Sequence, residues 1–370
     1  MRPANTSGCH RLLVALPNWV GDVVLATPVL AALRARFAAA RITYLLRPYV
    51  REVVAGGGWH DDEVYWPEAR APERDLPLGP LTRPLRRELG MCGLIARLRA
   101  ERCDLALLLT NSFRSALVAG LARIPRRVGY ARDGRAWLLT DRLPALRRAG
   151  RFVPVPMLEY YCRIAEHIGC PVTDRRLRLG ISPQQEQAGA ALKRHYRLDD
   201  GRPYAVINPG AAFGAAKCWL PERFAAVCDR LREEFGLRPV IVGAPHEIPL
   251  LRRIAGLAAG EVVCCDGPAT TLGSLKVLIR DAALLVCNDT GPRHYGNAFN
   301  VPTVTIFGPT HQRWTDTGYR GEIKIQVPVP CGPCQLPTCP LDLRCMTGVT
   351  TELVLEKIRT LLRAPAPLAV

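Results

Sequence analysis

The segment Pro17-Asn18-Trp19-Val20-Gly21-Asp22 closes an apolar run with a tight turn and an acid. Asp22 opens a helical pattern. A carboxylate there accepts backbone N–H groups as a cap, and it is equally placed to take a proton from a ligand. A second loop, Asn208-Pro209-Gly210-Ala211-Ala212-Phe213-Gly214-Ala215-Ala216-Lys217, joins small residues to one cation. Small side chains let the backbone approach a ligand closely. The loop lacks the Gly-Lys-Ser/Thr ending of a Walker motif. A third loop, Asn288-Asp289-Thr290-Gly291-Pro292-Arg293-His294, also follows an apolar run and opens a helix. Backbone N–H groups at such a start suit an anion, Thr290 adds a donor, and Arg293 and His294 add positive potential. A fourth, Gly243-Ala244-Pro245-His246-Glu247, offers an acid that either accepts from ribose hydroxyls or simply favours a helix N-terminus.

Each loop sits between a short apolar run and a helical period, which is the pattern of βαβ units. Strands are predicted at Leu12–Leu16, Ile42–Leu46, Leu105–Leu109, Tyr204–Ile207, Val240–Val242, Val262–Cys265, Leu284–Cys287 and Thr303–Phe307. Helices are predicted at Asp22–Phe37, Pro221–Phe235, from about Ile248, at Gly291–Phe299 and at Thr351–Arg363. Residues 67–88 are rich in Pro and Arg and read as a mobile surface excursion. Residues 175–202 read as the crossing between domains. The expected class is α/β, with two Rossmann-like domains of parallel sheets facing each other, divided as 1–180 and 181–370. Ligands of such sheets bind at the carboxyl ends of the strands. No Gly-x-Gly-x-x-Gly follows the first run, which counts against a nicotinamide cofactor.

The length of 370 residues suits two domains, and 48% apolar with 22% charged residues excludes disordered and fibrous classes. The net charge of +17 points to an anionic partner. The surplus is uneven, because residues 1–180 hold 29 basic and 16 acidic side chains. Arg114, Arg126, Arg127, Arg132 and Arg135 are candidates there for gripping phosphates or carboxylates. Nucleic acid is not expected as the partner, since aromatics are only 6% and no binding motif interleaves with the basic residues. No apolar run reaches the about 18 residues of a membrane span. Scattered cysteines such as Cys103, Cys228 and Cys287 lie in apolar context and suggest a reducing, cytoplasmic setting. Cys331, Cys334, Cys339 and Cys345 cluster in a Pro-rich stretch, where zinc, a disulfide and free thiols are all open readings.

Taken in order, four motifs closely resemble the bacterial lipopolysaccharide heptosyltransferases of glycosyltransferase family 9, most of all the heptosyltransferase II branch. They are Pro17–Asp22, Asn111-Ser112-Phe113-Arg114-Ser115-Ala116-Leu117, Pro209–Lys217, and Asn288-Asp289-Thr290-Gly291 with His294, followed by Phe307-Gly308-Pro309-Thr310. The resemblance runs from about residue 12 to about residue 360. It implies a GT-B fold and an inverting, metal-independent transfer of heptose from ADP-heptose to the inner core of lipopolysaccharide. The alternative is a GT-B enzyme of cell-envelope glycan synthesis with another nucleotide-sugar donor. No cofactor is implied. Asp22 would be the general base and Lys217 the phosphate contact. Glu247 would hold the ribose. Asp289, Thr290 and Gly291, with His294 and Arg293 nearby, would hold donor phosphate and sugar. Asn111, Ser112, Arg114 and Arg132 would serve an anionic glycolipid acceptor at the inner face of the cytoplasmic membrane. Arg293 departs from the family, in which many members carry an apolar residue before the motif His. Ala211 and Ala212 also stand where some members have hydroxyl or acidic side chains.

Overall fold

Runs of Leu, Val and Ile that are apolar on both faces can be buried only in the middle of a covered parallel sheet. Two such sheets form in the computed structural model, which describes residues 8–67, 90–148, 151–267 and 270–363. The excursion expected at 67–88 falls almost wholly outside these residues. The chain divides into two units. The first is Met1–Gly180 with Arg313–Thr317, and the second is Ile181–Gln312 with Gly318–Val370.

In the first unit the strands are β1 (Arg11–Ala15), β2 (Arg41–Leu46), β3 (Asp62–Tyr65), β4 (Leu105–Leu108), β5 (Arg126–Tyr130) and β6 (Asp141–Leu143). A small antiparallel ribbon pairs β7 (Arg147–Arg148) with β8 (Arg151–Phe152). The main sheet runs β3-β2-β1-β4-β5-β6, all parallel. Chain order therefore reverses between β1 and β4. That is where the first and second family motifs emerge side by side. The helix Val20–Arg36 starts two residues before the predicted one and contains Pro28.

In the second unit the strands are β9 (Tyr204–Asn208), β10 (Arg238–Ile241), β11 (Val263–Cys264), β12 (Leu284–Asn288), β13 (Thr303–Phe307) and β14 (Glu322–Gln326). Their order, β11-β10-β9-β12-β13-β14, repeats the first arrangement, and all pairs are again parallel. The switch point lies between β9 and β12. One face of the sheet is covered by the helices Pro221–Phe235 and Thr351–Arg363. Their buried residues Phe224, Val227, Leu231, Val354, Leu355 and Ile358 pack with Ile207, Val286 and Val304. Trp219 is buried edge-on against Phe224, and its indole N–H donates to the Val349 carbonyl at 2.9 Å.

The crossing at 175–202 contains an element that its composition conceals. Pro183–His195 is a helix, because Ser182 and Gln185 form a reciprocal capping box and Pro183 occupies the first turn. Ala188, Ala190, Ala191 and Leu192 then favour its continuation. No helix among the described residues is long and apolar enough to cross a membrane.

Candidate active site

Trp19, not Asp22, is the N-cap of the helix Val20–Arg36. Asp22 lies within the first turn and is half-buried. Its carboxylate is hydrogen-bonded to the Tyr161 hydroxyl, from the helix Met157–His167. Burial, and then the Asp22 charge, push the Tyr161 pKa well above the ordinary phenol value. Tyr161 therefore remains the donor and fixes the carboxylate's direction.

Asn111 and Ser112 follow β4, the neighbour of β1. Ser112 caps the helix Phe113–Leu121, its hydroxyl accepting from the Ser115 amide at 3.1 Å. The Asn111 side-chain oxygen accepts from the Tyr160 hydroxyl at 2.9 Å and from Arg135 at 3.2 Å. Both residues thus shape this loop through local bonds. The arginine candidates separate into two groups. Arg126 donates to Asp141 at 2.9 Å, Arg127 donates to the Leu138 carbonyl at 2.7 Å, and Arg135 is fully buried. These three hold the fold together, which corrects the expectation that they face a ligand. Arg114 is exposed, 5.3 Å above the Trp66 ring, and Arg132 is half-buried, 3.9 Å from the Phe152 ring centre. Arg132, Phe152, Tyr130, Tyr160 and Arg163 line a small basic and aromatic pocket with Trp314.

Arg135 donates to the carbonyls of Thr110 and Tyr130 and to the Ser115 hydroxyl. Burial lowers its pKa to about 10, still high enough to keep the charge. Arg135→Met strands those carbonyls. Urea unfolding is expected to show a loss of roughly 3 kcal/mol; a change below about 0.5 kcal/mol would mean the bonds carry no net stability.

In the second unit, three expected loops converge at the strand ends. Lys217 ends a short 3-10 turn after β9, and its ammonium lies 2.5 Å from Asp289 Oδ2 and 3.2 Å from the Asp289 carbonyl. Asn288 joins the two loops, donating to the Pro209 carbonyl at 2.6 Å and accepting from the Trp219 amide at 3.2 Å. Glu247 comes from the loop after β10, and its Oε2 accepts from the Ala244 amide at 2.8 Å. Its carboxylate lies against Gly210, where any Cβ would overlap it. Only glycine at 210 allows the acid to sit this close to the Lys217 loop.

Asp289 is the centre of this cluster. Oδ2 accepts from Thr310 at 2.7 Å, and Oδ1 accepts from Arg293 at 2.9 Å. Burial alone would raise its pKa, but Arg293 and Lys217 outweigh that and bring it down to about 2. A depressed carboxylate contributes stability above its unfolded pKa and loses it as pH falls through the folded value. About 2 kcal/mol should therefore disappear between pH 4 and pH 2. Urea titrations of the parent and of Asp289→Asn check this: the parent should decline more steeply over that window. Parallel curves would contradict the pairing.

Two expectations about the third loop need correction. The helix spans Arg293–Ala298 and not Gly291–Phe299, because Thr290, Gly291 and Pro292 form the turn before it. A helix of only six residues, under two turns, makes a poor anion site through its dipole. Arg293 is also fully buried, its guanidinium between Asp289 and Glu322, so it does not present itself to a ligand. His294 is buried as well. Burial, then the neighbouring Arg293, hold its pKa well below the ordinary value, so the ring is neutral. Its Nδ1 has no hydrogen-bond partner among the described residues. Thr290 and Gly291 are half-buried beside Asp289.

Glu322 and Tyr161 carry this geometry and have no local signal in the sequence. Glu322 sits in an alternating Glu-Ile-Lys-Ile-Gln strand that reads as half solvent-facing. Tyr161 is one of several apolar positions on an amphipathic helix. The cysteine cluster is formed of free thiols: Cys331 and Cys334 are exposed, Cys339 is half-buried and Cys345 is buried. Among the described residues, no three His, Cys, Asp or Glu side chains are grouped as a metal ion would need.

The sequence model of glycosyltransferase family 9 (heptosyltransferase) matches residues 91–344. Lipopolysaccharide heptosyltransferase 2 of Escherichia coli K12 is 30% identical over 312 residues, covering 82% of this chain and 84% of that protein. Among solved structures, a family 9 glycosyl transferase from Veillonella parvula superposes with a TM-score of 0.77 at 20% identity, covering 98% of both chains. The E. coli ADP-heptose lipopolysaccharide heptosyltransferase II gives a TM-score of 0.73 at 24% identity, covering 95% of this chain and 98% of that one. These two likenesses establish the GT-B fold. With the family model spanning most of the chain and both sheets in place, the protein belongs to glycosyltransferase family 9, the heptosyltransferases.

Proposed function

We propose that this enzyme transfers heptose from ADP-heptose to the inner core of lipopolysaccharide, with inversion at the anomeric carbon. The observation that carries the reading is the Lys217 ammonium, held beside Asp289 at the ends of β9 and β12 and one strand away from Glu247. A cation at a topological switch point, with an acid nearby for ribose hydroxyls, suits a nucleoside diphosphate sugar. The structural relative named for ADP-heptose supports adenine as the base.

In the proposed step, the acceptor hydroxyl oxygen attacks the anomeric carbon while Asp22 takes its proton. The bond from that carbon to the β-phosphate oxygen breaks, and ADP leaves with the electron pair. One direct displacement inverts the configuration. Lys217 meets the charge that grows on the diphosphate, so the reading requires no metal there. Glu247 accepts from the ribose, and Asp289, Thr290, Gly291 and His294 shape the donor pocket.

The acceptor is proposed to be an anionic glycolipid held by the first unit. Exposed Arg114 and half-buried Arg132 are the contacts offered there, with Asn111 and Ser112 in the adjoining loop. The basic surplus of residues 1–180 also supports attachment to the anionic inner face of the cytoplasmic membrane. Phe113 and Trp137 stand exposed in that unit, their ring centres 6.0 Å apart.

Calorimetry with ADP, UDP and GDP tests the donor assignment. ADP should bind at least about tenfold more tightly than the other two. A preference for UDP or GDP would favour a different nucleotide sugar in cell-envelope glycan synthesis.

A further inference from the structure

Arg293 and Glu322 form an ion pair whose side chains are both completely buried. The guanidinium Nε lies 2.8 Å from Glu322 Oε1, and its NH1 group lies 2.9 Å from Asp289 Oδ1. Glu322 is fixed from three further directions. It accepts from the Thr305 hydroxyl at 2.7 Å and from the Asn297 amide at 3.2 Å, and the Lys324 ammonium is 3.9 Å away. Removing two charges from water is costly, so a buried pair is weak evidence for stability. Its position relative to Asp289 is more informative.

The two oxygens of Asp289 face different cations. Oδ1 meets Arg293, while Oδ2 meets Lys217 and the Thr310 hydroxyl. If Lys217 were the sole cation at Asp289, drawing its ammonium toward a diphosphate would strand a buried carboxylate. That desolvated charge would oppose donor binding. Arg293 cannot follow Lys217 outward, because Glu322 holds its other edge. Asp289 therefore stays paired whichever way the ammonium moves.

We propose that Arg293, anchored by Glu322, is a positioning residue for the donor clamp: it keeps Asp289 paired so that the Lys217 ammonium can be shared with the donor diphosphate. The inference rests on Lys217 being the phosphate contact. Arg293 itself touches no part of the substrate.

The test is ADP calorimetry and donor kinetics on the full chain, with Lys217→Ala, Arg293→Met, Arg293→Lys and the double variant Arg293→Met/Glu322→Gln. Arg293→Met leaves Glu322 buried with only the Lys324 ammonium, 3.9 Å away, as a cation, so it should lower the melting temperature as well as ADP affinity. The double variant removes both charges. It should recover most of the melting temperature, yet still bind ADP about tenfold more weakly than the parent and show a raised donor KM. Arg293→Lys should restore part of the affinity. In a Lys217→Ala background, Arg293→Met should add less than about a twofold further loss, because the ammonium it serves is gone. Parent-like ADP binding by the double variant, with Lys217→Ala still weak, would overturn the positioning role and leave the clamp intact. Parent-like ADP binding by Lys217→Ala would overturn the clamp, and this inference with it.

Discussion

Asp22→Asn is expected to lower heptosyl transfer by about 10²–10⁴-fold, the range for losing a general base, while ADP binds as it does to the parent. The substitution keeps the shape and one acceptor oxygen, so the Tyr161 hydroxyl retains a partner and the helix Val20–Arg36 retains its first turn. Trp19, and not Asp22, is the N-cap, so the substitution leaves the capping residue in place. What disappears is the ability to take a proton. Rates of transfer with saturating donor, set beside calorimetry with ADP, separate the two effects. A variant with full activity removes Asp22 from the mechanism. A variant that has lost ADP binding as well points to a structural role.

Lys217→Ala is the second large effect. Loss of one preorganised charge partner for a leaving group costs about 10²–10³ in kcat, or roughly 3–4 kcal/mol of transition-state stabilisation. The fold should survive, because Asp289 keeps Arg293 and Thr310. Donor KM should rise too, since the ammonium meets the diphosphate in the ground state as well as during departure. Steady-state kinetics over a range of donor concentrations give both constants. If neither changes, the lysine has no role at the phosphates.

Much of this was legible in the chain. The central strands are continuous apolar runs, and the loops that leave them hold Asp22, Lys217, Glu247 and Asp289 at their expected places. Three of the four edge strands, and the Arg-led interior strand β5, were not; β11 was expected at Val262–Cys265. β3, β6 and β14 are short and carry Asp, Glu, Arg or Lys, so their periodicity is weak. They form because a parallel neighbour supplies their backbone bonds. Glu322 was hidden for the same reason. Its burial depends on Arg293, 29 positions away in the chain, so nothing near either residue announces the pair. The basic surplus likewise overstated the number of arginines available to a ligand. Arg126 is spent on a carboxylate and Arg127 and Arg135 on backbone carbonyls, bonds set by tertiary packing. The helix Pro183–His195 shows the converse: its capping box was written locally but lay inside a Pro- and charge-rich crossing.

The most direct test of the whole account is mass spectrometry of a single reaction. The purified protein is incubated with ADP-heptose and a lipid A–Kdo type core acceptor, alongside parallel reactions with UDP- and GDP-sugars. The account predicts that the acceptor gains the mass of one heptosyl residue and that one ADP appears for each transfer, with no gain from the other donors. An acceptor left unchanged by ADP-heptose but extended from another nucleotide sugar would contradict it.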